Sequence, residues 1–211
     1  MADIEVRLLK EGTRIDEERD GVKISRACCS AVVLIRADKN NIIVDPGAMG
    51  YADEVIKALA ECGLSPKDIS IIVNTHTHLD HNYNNYLFPE AVIYTPTSVW
   101  YSGDGNRVEM FPHPVDLGIP GIKVLDTPGH MEKHISLLVD SGGKRIAIAG
   151  DAVRESIIES GKVPTKYPNA KGYMKSMRLV FSKADEIIPG HGRIITGERL
   201  RRLREKLGRI S

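Results

Sequence analysis

The chain is expected to fold as an α/β protein in which sheets pack face to face and helices cover their outer sides. Three observations predict this. Short β-branched apolar runs recur from Ile4 to Ile188; strands precede helices in two successive halves; and the stretches Ala52 to Gly63 and Glu198 to Leu207 each carry one apolar helical face. With 211 residues, 42% of them hydrophobic, the chain can bury a substantial core, and its length makes one domain, residues 1–211, the expected count.

Taken in order, Ile4 to Leu9 alternates apolar and charged residues as a half-buried strand does, and Gly12 to Gly21 reads as a charged connector. Ala27 to Ile35 and Ile42 to Val44 form a strand pair turned by Asp38-Lys39-Asn40-Asn41. Asp45-Pro46-Gly47 stops the second strand, because proline lacks the ladder donor and glycine relieves the turn. Ala52 to Gly63 is a helix with Val55, Ile56, Leu59 and Cys62 on one face, and Ile69 to Val73 is a buried strand. Tyr83 to Phe88 reads as a short helix ended by Pro89, Ala91 to Tyr94 as a strand, and Trp100 to Gly118 as loop and edge strand. Strands follow at Ile122 to Leu125, Ile135 to Val139 and, after the turn Ser141-Gly142-Gly143, at Arg145 to Ala149. Tyr173 to Lys183 is helical, Glu186 to Ile188 a strand, and Glu198 to Leu207 a helix with Leu200, Leu203 and Leu207 on one face.

Composition excludes several classes. A net charge of +1 encodes no general pull toward nucleic acid or anionic lipid. Cys28, Cys29 and Cys62 form no CxxC pair and make a poor disulfide framework, which suits a reducing compartment. No signal-peptide pattern and no membrane-length apolar run is present, so cytoplasmic residence is the expectation.

Chemistry concentrates in Val73-Asn74-Thr75-His76-Thr77-His78-Leu79-Asp80-His81. In an extended segment His76 and His78 point to the same side and can grip one ion, while Asp80 and His81, at a following turn, can face another. Three further candidates, His130, Asp151 and His191, stand where strands run out into Gly or Pro turns that can aim a side chain into a cleft. Asp45 has two readings: a turn former before Pro46, or a carboxylate that supports a ligand histidine. His113 reads as exposed and His134 as structural.

The cluster resembles His-x-His-x-Asp-His, the signature of the metallo-β-lactamase superfamily. Thr127 to His130, Gly150-Asp151 and Pro189 to Gly192 are similar to that family's later motifs, TPGH, GD and PGHG. The resemblance runs from about Ser25 to Thr196. It implies a four-layer αββα sandwich of two mixed sheets with metals at one sheet edge. It also implies one ion on His76, His78 and His130, a second on Asp80, His81 and His191, and Asp151 bridging both. The implied enzyme is a metal-dependent hydrolase with two zinc ions per chain, iron or manganese being acceptable to the same donors. Activated water would attack an ester, thioester, amide or phosphodiester bond, and Asp80 would orient it and collect its proton.

Only 39 residues separate Asp151 from His191, too few for the inserted domain of the superfamily's nucleases. The chain ends twenty residues after His191, which argues against the glutathione-binding helical domain of glyoxalase II enzymes. His78 stands where flavodiiron proteins carry Glu, and Asp151 where one group of true β-lactamases uses Cys. The run Leu79 to Ala91 looks nearest to the compact branch called metallo-β-lactamase domain-containing protein 1.

Two other readings stay open: an iron oxygenase similar to persulfide dioxygenases, on His76, His130 and Asp151; and a compact RNA or single-stranded DNA nuclease. The nuclease would use the basic C-terminal end, where Arg193, Arg199, Arg201, Arg202, Arg204, Lys206 and Arg209 face only Glu198 and Glu205. Against it stands an amphipathic helix docked by its leucines. A small-molecule substrate is the expected partner. The segment Ala152 to Tyr173, with Arg154, Lys162, Lys166, Tyr167 and Lys171, reads either as a wall of the cleft or as a plain surface loop.

Overall fold

The computed structural model describes residues 4–104, 107–162 and 167–210; Lys166 lies outside them. The chain opens with strand β1 (Glu5–Lys10), a hairpin of β2 (Thr13–Arg19) and β3 (Val22–Cys29), strands β4 (Val32–Ala37) and β5 (Asn40–Val44), helix α1 (Ala52–Glu61) and strand β6 (Ile71–Val73). A one-turn helix, α2 (Leu79–Asn82), precedes β7 (Val92–Tyr94), β8 (Ser98–Tyr101) and β9 (Arg107–Met110). The second half runs β10 (Ile122–Asp126), β11 (Ile135–Ser141), β12 (Lys144–Gly150), α3 (Glu155–Ser160), α4 (Ala170–Lys183), β13 (Glu186–Pro189), β14 (Ile195–Thr196) and α5 (Gly197–Gly208).

Seven strands form one sheet in the order β1-β4-β5-β6-β7-β8-β9, and β10 to β14 form a second in sequence order. Between the sheets Val33, Ile35, Val44 and Val73 meet Leu137, Val139, Ile148 and Ile188. Helix α1 covers the first sheet's outer face, where Val55 and Leu59 pack on Val32, Leu34, Ile43 and Ile72. Helices α3, α4 and α5 cover the second sheet through Ile158, Met177, Phe181, Leu200, Leu203 and Leu207. The layers are therefore αββα, as expected. Strand β4 is buried on both faces, which is why Val32 to Ile35 is continuously apolar instead of alternating.

Parallel neighbours need a crossover, and α1 supplies it between β5 and β6, while α3 and α4 supply it between β12 and β13. Strands β5, β6 and β7 consequently end at one edge of their sheet. Strand β10 is antiparallel to β11, which is antiparallel to β12, so β10, β12 and β13 also share an end.

Three expectations need correction. Gly12 to Gly21 is not a connector: it holds β2 and the turn of the β2–β3 hairpin, with Asp20 and Gly21 both at positive φ. Nearly all its side chains face solvent, so no apolar alternation marks it. Ala27 to Ile35 is not one strand, because Ser30 N–H and Ala31 N–H leave the ladder and donate to the carbonyls of Asp80 and Gly190. Ile56 is 37% exposed on α1 while Val55 and Leu59 are fully buried, the buried stripe being narrower than the sequence implies. Helix α3 and the two-residue β14 were not expected. No described helix is long and apolar enough to cross a membrane.

Leu203, on the inner face of α5, is fully buried. Leu203→Ala is expected to destabilise the chain by about 2–5 kcal/mol in urea unfolding, the cost of lost burial plus the cavity left behind. A loss below about 1 kcal/mol would mean α5 is not packed as described.

Candidate metal centre

The shared strand ends present seven donors to one another. His76 and His78 follow β6, Asp80 and His81 lie on α2, His130 follows β10, Asp151 follows β12 and His191 follows β13. Around His78 Nδ1, His76 Nε2 stands at 2.9 Å and His130 Nε2 at 3.1 Å. Asp151 Oδ2 lies 3.2 Å from His130 Nε2, and its Oδ1 lies 3.5 Å from both His81 Nε2 and His191 Nε2. Asp80 Oδ2 is 3.2 Å from His191 Nε2 and 3.9 Å from His81 Nε2. Every residue singled out as a ligand from the sequence is thus brought to this place.

Hydrogen bonds behind the imidazoles set their tautomers. Asp45, buried at the end of β5, accepts from Thr75 N–H at 2.7 Å, from the Thr75 hydroxyl at 2.7 Å and from His81 Nδ1–H at 2.7 Å. Since the Thr75 hydroxyl proton is directed to Asp45, its oxygen accepts from His76 Nδ1–H at 3.0 Å. His191 Nδ1–H donates to the Thr13 carbonyl at 3.2 Å. In all three rings Nε2 is left as a lone pair turned toward the cluster.

The donors fit a cation. His81 Nε2, His191 Nε2 and Asp151 Oδ1 are buried with no hydrogen-bond partner among the described residues. Leaving buried polar atoms unpaired costs about 1–3 kcal/mol each. Nitrogen and carboxylate acceptors held this close without protons between them call for a positive charge, which a divalent ion supplies. His81 shows the same demand. Burial opposes its charge, yet Asp45 and Asp151 outweigh burial and lift it to about 10: the surrounding carboxylates favour positive charge at this place. Close packing leaves no slack: a Cβ on Gly190 would fall 2.4 Å from Asp151 Oδ1, and one on Gly150 would fall 2.5 Å from Thr75 Oγ1.

A family model described as the metallo-β-lactamase superfamily matches residues 27–104. A probable metallo-hydrolase of Methanocaldococcus jannaschii is 32% identical over 203 residues, spanning 95% of this chain and 93% of that one. The chain belongs to the metallo-β-lactamase superfamily. The mouse metallo-β-lactamase domain-containing protein 1 is 32% identical over 196 residues, covering 88% of this chain and 72% of that one. The fold is shared with a crystal structure from Thermotoga maritima described as a candidate metallo-β-lactamase, at TM-score 0.69 and 23% identity over 92% of this chain and all of that one.

Superfamily membership does not by itself account for the cleft wall. A cleft of about 300 Å³ opens on His78 and His130 and is lined by Arg14, Met131, Arg154, Tyr167 and Pro168. A second, of about 500 Å³, reaches His191 from the side of the β2–β3 hairpin, and Arg14 and Arg154 line it too. Arg154 is largely buried, 3.5 Å from Asp151 Oδ2, and the Tyr167 hydroxyl is buried without a partner among the described residues. Arg14 and Cys28 were missed in the sequence, where nothing in the spacing of a charged hairpin points to them. Arg154 and Tyr167 fell in a segment read two ways, and the wall is what they form. His134 is structural as expected, its Nδ1–H donating to Thr127 Oγ1 within a buried chain through Ser136 to the Ala149 carbonyl. His113 is exposed.

Asp45→Asn places an amide where three donors converge. It is expected to lower metal affinity by about 10–100-fold, the usual effect of losing a carboxylate behind a ligand histidine, as measured by competition with a chromogenic chelator. Wild-type affinity in the folded variant would show that Asp45 serves the turn alone.

Proposed function

We propose that this metal-dependent hydrolase holds two zinc ions per chain and cleaves an ester, thioester, amide or phosphodiester bond of a small-molecule substrate with activated water. The observation that carries the reading is Asp151, whose two oxygens face different donor groups: Oδ2 faces His130, and Oδ1 faces His81 and His191. On this reading His76, His78 and His130 hold one ion, Asp80, His81 and His191 the other, and Asp151 both. Nitrogen-rich donors favour zinc, and iron or manganese would be accepted by the same set. When bound, such a pair supplies Lewis acidity toward the scissile bond and water that ionises near neutral pH.

The chain's own residues do the remaining work. Burial opposes charge on Asp80, but His191, His81 and Cys28 outweigh it and hold its carboxyl well below the usual range. It is therefore a charged hydrogen-bond acceptor at neutral pH, suited to facing a cation and to orienting the attacking water. His78, exposed at the cleft floor, leaves the reacting side open to substrate. Arg154 and the Tyr167 hydroxyl offer donors to an anionic or carbonyl group lodged beside it.

The nuclease reading loses support at the C-terminal helix. Arg199 and Arg202 pair with Glu155, Arg202 and Lys206 with Glu159, and Arg204 donates to the carbonyls of Phe181 and Ala184. These cations fasten α5 to α3 and α4. The oxygenase reading would leave His78, Asp80, His81 and His191 idle although all of them converge.

Protein stripped by chelator is expected to lose hydrolysis across an ester, thioester, lactone and phosphodiester panel and to regain it with about two equivalents of zinc, without oxygen uptake. Full activity at one equivalent, or turnover that consumes oxygen, would overturn the reading. Arg154→Met should raise KM for anionic substrates about tenfold or more relative to neutral ones, the worth of one charge-assisted hydrogen bond. An equal effect on both substrate types would remove Arg154 from recognition.

A further inference from the structure

Cys28, one residue before the end of β3, comes from a part of the chain that supplies no other donor. Its Sγ lies 3.0 Å from Asp80 Oδ2, and the ligand atoms of Cys28, Asp80 and His191 all lie within 4.8 Å of one another. His191 is the independent sign that something belongs between them. Its side chain is 6% exposed, Nδ1–H is committed to the Thr13 carbonyl, and Nε2 faces Asp80 Oδ2 at 3.2 Å and Asp151 Oδ1 at 3.5 Å with no hydrogen-bond partner. A nitrogen lone pair confronting two carboxylate oxygens asks for a cation, and the sulfur stands at the rim of that same space.

The hairpin is fastened so as to keep the sulfur there. Gly192 N–H donates to the Gly12 carbonyl, Ser30 N–H to Asp80 O and Ala31 N–H to Gly190 O, which ties both ends of the hairpin to the loops that carry Asp80 and His191. Ala27, immediately before Cys28, takes a left-handed φ of 48°, a conformation that side-chain-bearing residues adopt at a cost. Arg14 Nη1 stands 3.9 Å from the sulfur. Burial and the Asp80 carboxylate, to which the thiol donates, push the thiol pKa up to about 12 in the metal-free chain, so its proton leaves only as a cation takes its place. Cys29, by contrast, is fully buried against Gly47 and Ala48, and Cys62 lies beyond α1, at the far side of the first sheet.

We propose that Cys28 is a thiolate ligand of the second ion, beside Asp80 and His191, and biases that position toward thiophilic metals. On binding, a sulfur–metal bond forms, the S–H bond breaks and one proton passes to solvent. A soft donor added to nitrogen and oxygen selects zinc, cadmium or cobalt over manganese and magnesium. The inference rests on the two-ion reading of the site.

The test is titration of chelator-stripped full-length protein with cobalt(II), followed by cadmium(II), read by absorption. The second equivalent of cobalt is expected to bring a near-ultraviolet thiolate-to-cobalt charge-transfer band. Cys28→Ser should lack that band, keep the visible cobalt bands of the first equivalent, and bind the second equivalent about tenfold or more weakly. Cys62→Ser should behave as wild type. Two equivalents bound without the band, or a band that persists in Cys28→Ser, would overturn the assignment while leaving the two-ion reading intact. One equivalent bound with no band would overturn both. Cys28→Ala, checked by circular dichroism, guards against misfolding of the serine variant and carries the same expectations.

Discussion

The site depends on one buried carboxylate. Asp45 is 2% exposed and sits in the left-handed region at φ 49°. An isolated charge there would be intolerable, and it persists because three donors satisfy it. Through the Thr75 hydroxyl it turns His76, a member of one donor group, and directly it turns His81, a member of the other. A single side chain therefore sets the relative placement of both groups. Its backbone conformation and its hydrogen bonds are parts of the same device: the turn at Asp45-Pro46-Gly47 points the carboxylate back across the end of β6, where Thr75 begins the loop.

What makes such a device possible is the direction of the strands. Parallel neighbours put consecutive strand ends on one edge, and loops at that edge are free of ladder obligations. Each sheet then contributes donors that its own packing holds in register, His76 to His81 from one and His130, Asp151 and His191 from the other. The contact between Gly190 and Gly150, where Gly190 N–H donates to the Gly150 carbonyl at 2.7 Å, brings the last two loops within reach of each other. Any ion that bridges them would also join the two halves of the sandwich, so occupancy and global stability are linked by mass action.

Much of this could be read from residues alone. The β-branched runs became strands because a doubly covered sheet demands apolar residues on both faces, as in Val32 to Ile35. Leu200, Leu203 and Leu207 lie buried on α5 because helical period converts directly into a face. His130, Asp151 and His191 were marked by Gly and Pro turns at strand ends, a local signal. Where the sequence was silent, the reason is physical. Residues 13–26 carry charge on both faces of a ribbon that covers no core, so burial left no periodic imprint on them. Helix α3 has six residues and β14 two, each too short to establish a period. The tautomers of the imidazoles depend on partners as distant as Thr13 is from His191, a separation that no spacing rule reaches.

That silence bears on specificity. Donors held by sandwich loops are constrained from every side, as the packing around Gly150 and Gly190 shows, and their chemistry is correspondingly inflexible. The hairpin is constrained only at its base, and it exposes Ile15 and Val22 to solvent. Its inner face nevertheless supplies Arg14 to both clefts. Arg14 is braced by Asp16 at 2.9 Å and by Ser25 at 2.9 Å, and Lys23 shares the same carboxylate. Burial opposes charge on Asp16, yet Ser25, Lys23 and Arg14 outweigh it and hold the carboxyl well below its usual range. The guanidinium is therefore placed in advance, with less side-chain entropy to lose when a substrate arrives. The seven convergent histidine and aspartate donors thus reside in the part of the chain that packing fixes. Arg14 enters both clefts from a ribbon that can change composition without disturbing the core.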